Sequence, residues 1–91
     1  MSNTQGGIST RWRLRLNNLL QRSYGARALV WETTFVGTRQ DGHWEATAYI
    51  REIPYGRATA RHAEQAMEDA AHEAYYQLYE QLADVLEERS D

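Results

Sequence analysis

The first regular apolar pattern spans residues 10–23, where Trp12, Leu16, Leu19 and Leu20 recur at i, i+4, i+7 and i+8. That spacing predicts an amphipathic helix with Thr10 as N-cap and Gly25 as its stop. On a helical wheel the four apolar positions share one arc, while Leu14 and Asn18 point the other way, beside Arg11, Arg15 and Arg22. Residues 28–36 are rich in Val, Trp, Thr and Phe, types that suit a pleated surface, and end at Gly37, which predicts a first strand. A polar stretch, 38–43, carries the turn signal Asp41-Gly42. Residues 44–50 then alternate Trp44, Ala46, Ala48 and Ile50 with Glu45, Thr47 and Tyr49, so a second strand forms a hairpin with the first. Residues 53–58 contain Pro54 and Gly56, which restricts a third strand to a short or edge position.

From residue 60 to 86 there is no Gly or Pro, and Ala63, Ala66, Met67, Ala70, Ala74, Leu78, Leu82 and Val85 repeat with helical spacing. Thr59 is the expected N-cap of this long second helix. Its stripe is mostly Ala, so it can lie close against a sheet, with bulk expected from Trp12, Trp31, Phe35 and Trp44. The expected fold is α+β: a two-layer α-β-β-β-α domain over residues 10–82, with a three-stranded antiparallel sheet packed against two helices. A disordered tail over 1–9 and an acidic helix extension and tail over 83–91 are expected to flank it.

A chain of 91 residues has room for one such domain. The absence of Cys excludes disulfides, cysteine-containing zinc sites and a thiol nucleophile. No stretch approaches the length of a membrane span and no apolar leader is visible, so a soluble cytoplasmic or nuclear protein without membrane partners is expected. The net charge of −3 conceals a strong polarity: nine Arg against four acids up to His62 leave +5, and one Arg against nine acids from Ala63 onward leaves −8. Because salt screens charge beyond about 10 Å, a basic face on an acidic protein still attracts phosphate. All ten basic residues are Arg, which suits bidentate phosphate contacts and equally fits a compositional bias.

The order of elements, the segment Leu16-Asn17-Asn18-Leu19-Leu20-Gln21, Gly37 closing the first strand, Trp44 opening the second, and Gly56 through Ala66 ahead of an Ala-rich helix together resemble the double-stranded-RNA-binding domain (dsRBD) family. The resemblance covers roughly residues 10–82 and implies three contact regions on A-form RNA. In the first helix it implies minor-groove contacts from Leu14 and Asn18, with Arg15 beside them. In the loop after Gly37 the family's Gly-Pro-x-His spacing gives Thr38, Arg39 and Gln40; Gln40 stands at the His position and His43 is a later substitute. The family's Lys-Lys-x-Ala-Lys at the second helix matches Ala60, Arg61, His62, Ala63 and Glu64, so Arg61 alone keeps a cation, with Arg57 upstream as a possible supplement. Fewer cations imply weak, shallow binding, since each neutralised phosphate contributes about 0.9 to the salt slope.

Bland readings stand beside these. Arg11, Arg15 and Arg22 fit a solvated helix face as well as an RNA contact, and His43 and His62 fit plain surface positions. His72 and Glu68, at i and i+4, are two possible metal ligands without a third, so no metal is expected. Tyr75, Tyr76, Tyr79 and Leu86 form an apolar strip beside the Ala stripe, which is either covered by the first helix or used as a protein contact. The chain has no Gly-rich phosphate loop, zinc pattern or nucleophile elbow, so catalysis, cofactors and a small-molecule substrate are not expected. The leading expectation is non-catalytic binding of double-stranded RNA; the alternative is a degenerate dsRBD acting as a homodimerisation or protein-interaction module.

Overall fold

A computed structural model describes residues 11–89, with side chains as far as Asp84. The expected tail over 1–9, the Thr10 cap and the side chains of Val85 and Leu86 lie outside the described residues. Helix α1 (Trp12–Gln21) leads through a 3-10 turn (Ala26–Ala28) into strands β1 (Leu29–Gly37), β2 (Gly42–Ile50) and β3 (Ile53–Ala60), and helix α2 (Ala63–Arg89) follows. The strands form one antiparallel sheet in the order β1-β2-β3. Both helices pack on the face that carries Ala46, Ala48 and Ile50. The result is the α-β-β-β-α order that the apolar periodicities predict.

Helix α1 ends at Gln21, and beyond its Arg22 cap Gly25 takes φ 96° and donates its N–H to the Leu20 carbonyl at 2.6 Å, a positive-φ position that costs a side-chain-bearing residue more. The β1-β2 turn departs from expectation. Asp41 N–H reaches the Thr38 carbonyl at 3.2 Å and the Thr38 hydroxyl at 3.0 Å, so Arg39 and Gln40 occupy the bend instead of Asp41-Gly42. The strand β2 therefore starts at Gly42, two residues before Trp44. Two glycines close the ladder there, because a Cβ on Gly37 would sit 2.7 Å from the Asp41 carbonyl and one on Gly42 would strike the Phe35 ring.

Arg51 and Glu52 form the β2-β3 turn with φ 54° and 71°, between the paired residues Ile50 and Ile53. Positive φ at both positions is the hairpin geometry usually filled by Asn-Gly, so this turn is held by its surroundings. Arg51 N–H donates to the Ala28 carbonyl at 2.9 Å, and its guanidinium lies 4.7 Å from the Tyr24 ring centre. The strand β3 is an edge strand, as Pro54 requires, with an irregularity where Tyr49 pairs with Pro54 and Ala48 with Gly56. It runs on to Ala60 opposite Trp44, which corrects the Thr59 cap: Thr59 pairs with Glu45 in the sheet, and the His62 carbonyl accepts the Ala66 N–H at 3.0 Å as α2 begins. Continued ladder bonds outweigh a single capping bond. At its far end α2 continues past 86 to Arg89, into the expected tail.

The closest contact in the core joins α2 to β3. A Cβ on Gly56 would collide with the Ala70 carbonyl and lie 2.7 Å from the Ala74 nitrogen. Ala66, Ala70, Ala71 and Ala74 are fully buried with Ala46 and Ala48 opposite. This spacing leaves no room for rings, so the largest fully buried side chains are Leu16, Leu20, Ile50 and Leu78. Trp12, Trp31 and Trp44, expected as core bulk, are half-buried at the flanks, and Phe35 is 42% exposed. Replacing Gly56 with Ala is expected to lower the unfolding free energy by about 2 kcal/mol, within the overpacking range. Urea denaturation of the two proteins measures it.

Candidate nucleic-acid interface

The register of the sheet decides which candidate residues can act together. The pairs Gly37–Gly42 and Trp44–Ala60 bring the β1-β2 loop and the start of α2 to the same end of the sheet. Arg39 and Gln40 are exposed in that loop, and Arg61 and His62 are exposed in the link from β3 to α2. Among the described residues the Arg61 side chain has no ion pair. Its neighbour Glu64, in the first turn of α2, opposes the positive end of the helix dipole. His43 belongs to β2 and sits opposite Val36, on the sheet face away from the helices.

The first helix lies beside the middle of α2, further from the loop. Trp12 and Arg13, at its start, meet Glu68, while Leu19 and Arg22 share a depression with Tyr75, so the two helices run side by side in the same direction. Leu14 is 59% exposed and Asn18 is exposed in that same depression. The Arg15 guanidinium lies 4.8 Å from the Trp12 ring centre, an orienting contact that leaves its charge in solvent.

What holds α1 there was not anticipated. Glu68 is 2% exposed. One carboxylate oxygen accepts the Trp12 backbone N–H at 3.0 Å and the other accepts Arg13 Nε at 2.6 Å. A carboxylate from α2 thus satisfies an orphan donor in the first turn of α1, where the helix dipole also favours negative charge. The sequence carried a faint signal, an acid set between Met67 and the buried pair Ala70-Ala71. Glu68 is therefore not half of a metal pair: His72 stacks on Trp12 instead, with ring centres 4.1 Å apart and planes at 18°. Among the described residues no group of three or more metal-binding side chains gathers.

Arg57 lies apart from Arg61: it belongs to β3 opposite Thr47, on the sheet face away from the helices, with its exposed guanidinium 3.7 Å from Glu45. Its backbone N–H is taken by Glu73 of α2 at 2.8 Å. On the same face the Tyr49 hydroxyl donates to Glu32 at 3.0 Å, and this bond, with the charge on Glu32, raises the Tyr49 phenol above its ordinary value. Of the tyrosine strip, Tyr75 is half-buried with its ring centre 5.5 Å from that of Trp12, whereas Tyr76 and Tyr79 remain about half exposed.

No described helix is long and apolar enough to cross a membrane. Compared with known proteins, the chain matches no family model, no curated protein and no solved structure.

Removing Arg13 leaves Glu68 with the Trp12 N–H but without its cation. Arg13→Ala is expected to cost about 2 kcal/mol of stability, the scale of a part-buried hydrogen bond to a charged group. Arg15→Ala, which removes only an exposed cation–π contact, is expected to cost under about 1 kcal/mol. Thermal and urea unfolding of both variants measure the difference.

Proposed function

We propose that this domain binds double-stranded RNA without catalysing a reaction, reading A-form shape and contacting few phosphates, as the resemblance to the dsRBD family implies. The observation that carries the reading is the placement of three surfaces in sequence: the Arg39-Gln40 loop, the adjoining Arg61-His62 segment, and the Leu14–Asn18 side of α1 beside α2. Duplex RNA presents a minor groove, a phosphate-lined major groove and a second minor groove in the same succession. Asn18 is suited to the 2′-hydroxyl, since an amide both donates and accepts. With Arg13 held by the buried Glu68 and Arg57 on the sheet face away from the helices, Arg15, Arg39 and Arg61 are the cations for phosphate. Binding is therefore weak.

A second reading, protein interaction through α2, draws on the half exposure of Tyr76 and Tyr79. It supposes that this strip is covered by another chain.

Fluorescence polarisation against duplex RNA and duplex DNA of the same sequence separates the RNA reading from the rest. RNA is expected to bind more tightly, with log K falling against log salt with a slope of about −2 to −3, and Arg61→Ala is expected to reduce that slope by about 1. Equal affinity for the two duplexes, or no binding at about 50 mM salt, removes the proposal.

A further inference from the structure

The two edges of the sheet are treated differently. The β3 edge is interrupted by Pro54 and an irregular register, is covered by α2, and has its Arg57 N–H capped by Glu73. Among the described residues none of these devices protects β1. Over nine residues this edge contains no Lys, Arg or Pro and one acid, Glu32, whose carboxylate already accepts the Tyr49 hydroxyl. Its register with β2 is unbroken from Leu29 to Gly37. Both its faces also expose apolar surface: Val30 is 60% exposed and Val36 40% on one, Phe35 42% on the other. A long, regular, uncharged and apolar edge of this kind is a template for another strand.

The order of residues along β1 says which strand. Read outward from Thr33, two pairs of apolar positions match in type, Trp31 with Phe35 and Val30 with Val36, while Glu32 falls with Thr34 and Leu29 with Gly37. We propose that β1 pairs antiparallel with β1 of a second copy of this chain about a two-fold axis through Thr33, joining two three-stranded sheets into one of six strands.

In that register Trp31 stands opposite the partner subunit's Phe35, Val30 opposite the partner's Val36, and Thr33 opposite the partner's Thr33. Cross-strand aromatic and β-branched pairs are the contacts that stabilise antiparallel sheets. A two-fold axis normal to the sheet keeps the helical layers of both copies on one face. Each copy's Trp31, which packs against the core cluster, then covers the partner's Phe35, which in its own copy meets Trp44 and is 42% exposed. The axis is compatible with either hydrogen-bonding parity at Thr33, since both kinds of antiparallel pair are symmetric. The two Glu32 side chains fall on a diagonal and not opposite each other, so the like charges are separated by about 7–8 Å. An interface of one strand edge and its side chains lies at the small end of specific contacts, where weak, transient association is usual. This inference is independent of the RNA reading.

Thr33 is exposed, so charge can be placed on the axis without disturbing the core. Sedimentation velocity of the full chain from about 10 to 300 µM, a range that spans weak association, is the test, with circular dichroism to verify that each variant is folded. Wild type is expected to dimerise; T33K and T33D are each expected to weaken self-association at least tenfold by setting like charges face to face; an equimolar mixture of the two is expected to restore a dimer. A wild-type monomer throughout the range overturns the proposal, as does a T33K dimer as tight as wild type or a mixture that stays monomeric. The double variant Y76A/Y79A is expected to dimerise like wild type; loss of its dimer assigns the contact to α2 and also overturns the β1 interface.

Discussion

The carboxylate of Glu68, buried between the two helices, is the interaction on which the arrangement of the molecule depends. The ten-residue helix α1 is too short to be stable alone, and among the described residues no side chain of its own caps its start. Glu68 supplies that cap from α2 and ties it to Arg13, so the first turn of one helix is built partly from the other. Stacking of His72 on Trp12 closes the same seam from outside. The position of Leu14 and Asn18 relative to α2, and hence any surface they share with Arg61, follows from this contact.

A second constraint fixes α2 against the sheet. Gly56 and the buried alanines allow the helix backbone to approach β3 and β2 so closely that every ring is pushed to the flanks. That closeness has a consequence for β1: α2 packs on the other two strands, so on the helix-facing side of β1 Leu29 and Trp31 reach the margin of the core while Phe35 stays exposed. One packing choice thus explains both the absence of aromatic residues from the deep core and the exposure of Phe35. On the opposite sheet face the Tyr49 hydroxyl bonds Glu32 and the Arg57 guanidinium lies 3.7 Å from Glu45.

Element types were legible because their periodicities are long and unambiguous: 3.6 residues in α1 and α2, two in β2, with Gly25 and Gly37 as stops. Boundaries were legible only where a glycine imposed them. Thr59 has the chemistry of a cap, yet the ladder opposite Glu45 claims it, and only a long-range pairing could reveal that. Arg51-Glu52 carries no turn signature, because its left-handed backbone is held by Ala28 and Tyr24 from distant parts of the chain. The aromatic residues were expected inside on hydrophobicity alone, whereas the glycine-alanine contact excludes them on size. Among the site residues, exposure of Leu14 and Asn18 followed from the helical wheel. The diversion of Arg57 to Glu45 and of Glu68 to Arg13 did not, since both depend on which elements meet across the fold.

The central claim is that α1, the β1-β2 loop and the start of α2 act as one surface for A-form duplex. Amide chemical-shift mapping during titration with a short RNA duplex tests it most directly. The account predicts that Leu14, Asn18, Arg39 and Arg61 shift together along one binding curve while Thr47, Tyr49 and Arg57 stay in place. Shifts centred on the Tyr49 face of the sheet, or confined to one of the three regions, contradict it.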